Sequence, residues 1–185
     1  RGTDERAPVS HARLLAFVAD EFDLSPWNVA PGERAAVALP NGPEAAACVV
    51  AVAARCTCAP VAHQNTAEEI ALELANVRAK VVLVLAGAEN DHVAAAAAEA
   101  GVALVELVPD RARVGLFRLR GAATAATAPR AARRFTRRGD VALVLHTSGT
   151  SGKKKVVPYT LAGLLVGAAC VIAAWRLRPA APHLT

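Results

Sequence analysis

"ERAAVALPNGPEAAACVVAVAARCTCAPVAHQNTAEEIALELANVRAKVVLV", Glu33 to Val84, decides the fold. It opens on a short apolar run, Arg34–Leu39, of strand length. "PNGP" breaks that run, and a nearly all-apolar helix, roughly Pro43–Ala54, follows. Asn41 is placed to cap it, with Glu44 three residues on as in a capping box. A short strand is expected near Ala59–Ala62. Next comes Thr66-x-x-Glu69, a second capping box, opening a helix whose Ile70, Leu74 and Val77 share one face. "KVVLVL", Lys80–Leu85, closes the stretch as a continuous β-branched run, the pattern of a strand buried on both faces.

The same alternation continues outward. Asn90–Ala100 reads as an alanine-rich helix ended by Gly101 at the left-handed position, and Val102–Leu107 as another buried strand. Strand and helix in strict turn imply right-handed crossovers. The expected class is α/β: a doubly wound, mostly parallel sheet with helices on both faces. Upstream, residues 9–22 place Leu14, Phe17 and Val18 at helical spacing behind Ser10 as a cap. Downstream, residues 108–139 interrupt the rhythm, with a short strand at Val114–Leu119. Regularity resumes at Asp140–His146 (DVALVLH), a strand running into "TSGTSGKKK".

Composition bounds the function. A 185-residue chain with 54% hydrophobic residues and mean hydropathy +0.32 has a core and is not a disordered tail. Aromatics are only 4%, so that core is built from small aliphatic side chains. There is no methionine, even at position 1, so the reading is of a processed product, a cut piece or an incomplete frame; the visible start (RGTDERAPVSHARL) has no apolar leader core, and a signal peptide ahead of it stays open. The net charge of +5 belongs to nine arginines between Arg111 and Arg138; without them the chain is net acidic. That run could be a nucleic-acid patch, but Phe117 and Phe135 are its only aromatics and no binding motif surrounds them, so a solvated surface connection is preferred. Cys48 and Cys170 read as small core residues. Cys56 and Cys58, with His63 nearby, lack a second pair at zinc spacing, and no metal site is assigned. Reduced thiols suit a cytoplasmic protein.

The stretch His146–Thr160, "HTSGTSGKKKVVPYT", holds the chemistry. A strand feeding a Ser/Thr/Gly loop lets backbone N–H groups converge on an anion. The glycines allow close approach, the hydroxyls of Thr147, Ser148, Thr150 and Ser151 add donors, and lysine adds charge. A Walker loop fails: its first glycine would stand at Thr147, and Lys154 occupies the required Ser/Thr position. Val156-Val157-Pro158 is also extended, not helical. A hydrolase elbow fails because Lys153 stands where glycine is needed. His146 is read as a strand-end residue, with a substrate-side role the alternative.

"LHTSGTSGKKKVVPYT" resembles the signature loop of the AMP-forming adenylate synthetases (acyl-CoA synthetases, luciferases and peptide-synthetase adenylation domains), usually T-[ST]-G-[ST]-[ST]-G-x-P-K-G. Thr147, Ser148, Gly149, Thr150, Ser151, Gly152 and Lys155 match in order; Lys154 replaces the usual proline and Val156 the usual glycine. The Glu33–Val84 stretch resembles the family's early strand–helix block, so the likeness covers about Arg34 to Trp175. It implies an incomplete N-terminal domain of an adenylate-forming enzyme, divided as a block at 34–107, a surface connection at 108–139, and a phosphate-loop strand with a buried helix at 140–185. It also implies an ATP-dependent ligase that activates a small carboxylic acid as an acyl-adenylate. The acyl group then passes to coenzyme A or a carrier-bound pantetheine, with Mg²⁺ accompanying ATP. The matched loop would bind ATP phosphates. No catalytic residue falls inside the chain, and the missing C-terminal portion would be its partner. The rival reading is a membrane-anchored or non-catalytic remnant with a span at 156–175, a run without formal charge.

Overall fold

A computed structural model describes residues 5–123, 134–147 and 155–178. Seven strands form one sheet in the order β5-β4-β3-β1-β2-β6-β7. They are β1 (Arg34–Val37), β2 (Thr57–Pro60), β3 (Ala79–Leu85), β4 (Ala103–Pro109), β5 (Phe117–Arg120), β6 (Val141–His146) and β7 (Val156–Thr160). The pairings among β4, β3, β1, β2 and β6 are parallel; only the two border strands, β5 on β4 and β7 on β6, run antiparallel. The expected doubly wound class is what the chain adopts.

The helices are α1 (His11–Ala16), α2 (Pro43–Ala53), α3 (Ala67–Val77), α4 (Asp91–Ala100) and α5 (Leu161–Ala174). The two-residue period of β3 shows how the first four cover the sheet. Val81 and Leu83 face a core with Cys48, Ala51 and Val52 of α2 and with Phe17, while Val82 and Val84 face a core with Ile70 and Leu74 of α3 and Val93 of α4. A strand that must satisfy both layers needs apolar residues at every position, which is why "KVVLVL" shows no alternation. The first core also holds Phe17, Phe22 and Phe117 in mutual tilted and edge-on contact.

Local signals act as the sequence leads one to expect at several ends. Ser10 accepts from the Arg13 N–H; at α3 both halves of the Thr66/Glu69 box are made; and Gly101 ends α4 with φ 64°. The α1 helix does not run on to residue 22, because its last turn widens into a π-helical turn at Phe17–Glu21.

Three expectations are corrected. Asn41 and Glu44 do not cap α2: the cap is Gly42, without a side-chain bond. The Glu44 carboxylate turns away to accept from Arg6 Nη1 at 2.7 Å and from the Gly115 N–H at 3.2 Å, tying the N-terminal segment and the β4–β5 connection to α2. Cys170 is exposed, whereas Cys48, Cys56 and Cys58 are buried. Finally, α5 is not a buried helix: none of its residues is buried, and Leu165 and Val166 are 52% and 63% exposed. Apolar composition records that a helix wants cover; among the described residues α5 packs chiefly against β6 and β7.

The rival span at 156–175 also fails. The first five of those residues are β7, with Pro158 inside the strand, and α5 has 14 residues. At about 1.5 Å per residue that is some 21 Å, short of the roughly 30 Å hydrocarbon core. No helix among the described residues is long and apolar enough to cross a membrane.

Candidate functional site

The candidate site lies where β6 ends. Since β6 runs parallel to β2, its last residue reaches the edge of the sheet to which β1, β2, β3 and β4 also bring their carboxyl ends. Open α/β sheets bind ligands along that edge. A cavity of about 150 Å³ opens on the same edge, lined by Leu39–Ala45 and Leu85 at the ends of β1 and β3.

The matched loop is strung between two paired strands. His146 of β6 lies opposite Val156 of β7, and one residue further the Thr147 N–H donates to the Lys155 carbonyl at 2.9 Å. This bond draws the two ends of the loop together, and both Thr147 and Lys155 are exposed there. Of the residues expected to bind phosphate, Thr147 and Lys155 are thus brought side by side; Ser148, Gly149, Thr150, Ser151 and Gly152 lie outside the described residues. The extended Val156-Val157-Pro158 segment is β7 itself, so the loop returns as a strand, as the proline predicts.

What holds β6 in place was missed in the sequence. Its backbone ladder to β2 is brief, with Cys58 opposite Leu143, and the buried Thr57 hydroxyl supplements it by donating to the Val141 carbonyl at 2.6 Å. At the start of the strand, Asp140 Oδ2 accepts from the Arg137 N–H at 2.8 Å, and the Asp140 carbonyl accepts from the Leu161 N–H at 3.0 Å. The only sequence signal for Thr57 is a hydroxyl inside an otherwise apolar C-T-C strand, which does not say what it reaches.

His146 is half-buried, and both of its ring nitrogens are enclosed without a hydrogen-bond partner among the described residues. The three buried thiols offer no nucleophile. Burial pushes Cys56 up to about 12 and raises Cys48 and Cys58 as well. The described residues contain no group of three or more His, Cys, Asp or Glu side chains that could hold a metal ion.

Residues 24–183 match the AMP-binding enzyme family, and the chain belongs to it. Among solved structures it is similar to apo MatB from Rhodopseudomonas palustris, at 25% identity and a TM-score of 0.69 over 95% of this chain and 36% of that one. It is similar also to ATP-bound MatB from the same organism, at 27% identity and TM-score 0.67 over 92% of this chain and 33% of that one. The o-succinylbenzoate CoA synthetase of Bacillus subtilis, at 17% identity and TM-score 0.63 over 95% and 35% of the two chains, shares the fold. The chain spans about a third of the length of these structures.

Proposed function

We propose that this chain is the phosphate-gripping part of an ATP-dependent acid–thiol ligase. The observation that carries the reading is the loop's mounting. A family-matched Ser/Thr/Gly segment starts at the carboxyl end of a parallel strand, and its ends, Thr147 and Lys155, are fastened by one backbone bond. In the reaction, a carboxylate oxygen attacks the α-phosphorus of ATP and the bond to the β-phosphate bridging oxygen breaks. An acyl-adenylate and pyrophosphate result. A thiol of coenzyme A or a carrier-bound pantetheine then attacks the acyl carbon, AMP leaves, and the thiol proton passes to solvent. The role of Thr147 to Gly152 is to donate to the β- and γ-phosphates, and that of Lys155 is to offset the charge growing on the departing pyrophosphate. Mg²⁺ would accompany the triphosphate as its counterion.

The acid pocket and the thiol-transfer machinery belong, on this reading, to the part of the relatives' length that this chain does not match. The division is 34–107 as scaffold, 108–139 as surface connection and 140–185 as phosphate loop with its following helix. The enzyme works in the cytoplasm, a placement supported by its four unpaired cysteines. Titrating the 185-residue chain with inorganic tripolyphosphate should move the amide signals of Thr147 and Lys155; no movement refutes the reading. The same chain should be silent in ATP–pyrophosphate exchange, and measurable exchange would overturn the division of labour.

A further inference from the structure

We propose that Thr57 is a positioning residue for the phosphate loop: its buried hydroxyl fixes the register of β6 on the sheet, and with it the place of Thr147 and Lys155. This rests on the nucleotide reading above and adds to it a residue far outside the matched loop. The starting observation is an imbalance among the ladders. β1 meets β2 along four residues and β3 meets β4 along five, but β6 meets β2 at one, Cys58 opposite Leu143. The core at this junction is small as well, formed by Ala59, Val77 and Val144.

Side-chain patterning does not set the register by itself. Burial alternates along β6, with Ala142 and Val144 the buried pair. A slip of two residues returns the same faces to the same layers, so a period of two does not exclude it. Such a slip would carry Thr147 roughly 6–7 Å along the strand, farther than any hydrogen bond can follow. The Thr57 hydroxyl supplies the missing constraint. The Thr57 N–H already donates to the Glu33 carbonyl at 2.9 Å, on the β1 side, so the backbone of this residue has no donor left for β6. The hydroxyl provides one, reaching the Val141 carbonyl at 2.6 Å from a residue that is 2% exposed. Water cannot replace that bond in so buried a place, and a slipped strand would forfeit it. The hairpin then carries the register to the loop. β7 pairs with β6 from Thr160 opposite Val141 to Val156 opposite His146, and the Thr147 N–H closes it on the Lys155 carbonyl.

The test compares Thr57→Val, which keeps the branched shape and removes the donor, with Thr57→Ser, which keeps the donor. Both are made in the 185-residue chain and followed by amide hydrogen exchange. In the valine variant the amides around the Cys58–Leu143 pairing should exchange about tenfold faster. The N–H groups of Ala38 and Val61, bonded to the Leu83 and Val37 carbonyls inside the sheet, should keep their wild-type rates. Inorganic tripolyphosphate, followed by the Thr147 and Lys155 amides, should bind the valine variant about tenfold more weakly, and serine should restore both readouts. Faster exchange throughout the sheet with unchanged affinity would mean a general loss of stability and overturn the proposal. A serine variant that behaves like valine would overturn it too. Should the valine variant not fold, exchange of the unmutated chain in rising urea decides. The amides around Cys58–Leu143 must then open with a smaller urea dependence than those of Ala38 and Val61, and a common opening overturns the pin. An unmutated chain whose Thr147 and Lys155 amides ignore tripolyphosphate refutes the nucleotide reading and the loop role with it, while the exchange contrast still decides whether Thr57 holds β6.

Discussion

Replacing Glu44 by alanine tests how the fold is fastened at its amino end. The carboxylate receives two donors from distant parts of the chain, Arg6 and the Gly115 N–H. Its side chain is 10% exposed and that of Arg6 is 22% exposed. Truncation leaves the Gly115 N–H orphaned in a buried bond, which costs about 1–3 kcal/mol. The ion pair adds less, because the arginine keeps some water and also donates to the Asp110 carbonyl at 3.2 Å; about 0.5–1 kcal/mol is reasonable. The sum is a loss of about 1.5–4 kcal/mol. With a mid-range urea slope of about 2 kcal/mol per molar, the midpoint should fall by about 0.8–2 M. Glu44→Gln keeps an acceptor for Gly115 and should lose only about 1 kcal/mol. Urea unfolding followed by tryptophan fluorescence separates the cases. If alanine lies within about 0.5 kcal/mol of wild type, or glutamine costs as much as alanine, the tether argument is wrong.

Other outcomes are as definite. Thr66→Ala removes one half of the capping box at α3 and should cost about 1 kcal/mol, while Thr66→Ser should cost little; thermal melts decide. Because burial holds the Cys56 thiol near 12 and raises Cys48 and Cys58, these three stay protonated across the ordinary pH range. Iodoacetamide at pH 8 should therefore label only Cys170 in the native chain and all four after denaturation, as counted by intact mass. In an enzyme that carries this chain whole, Lys155→Ala should slow adenylation at least tenfold more than Lys153→Ala. Equal effects in a pyrophosphate-release assay would mean that the loop register is wrong.

The sequence disclosed the layers because the signals involved are local. A β-branched run such as Val81–Leu85 can only be a strand covered twice, and Thr66 meets Glu69 within one helical turn. It did not disclose Glu44's task, since its partners sit 38 and 71 positions away and a carboxylate at a helix start fits a cap equally well. Thr57 is the same kind of case: its acceptor, Val141, is 84 residues distant. Motif spacing singled out Thr147 and Lys155 as candidate residues, and the β6–β7 hairpin explains why these two meet. That the His146 ring has no partner among the described residues is a property of its surroundings, which one letter at the end of a strand does not encode. Helix α5 shows the opposite failure: hydropathy tells how much a segment avoids water but is silent on whether a covering surface is within reach.

That bare helix governs how a tube of this protein behaves. Leu165, Val166, Ile172 and Trp175 give it a greasy outer flank, and greasy flanks find one another. Light scattering from the 185-residue chain should then climb steeply with concentration. Chilling should thin the clumps instead of hardening them, because the pull between oily surfaces fades in the cold.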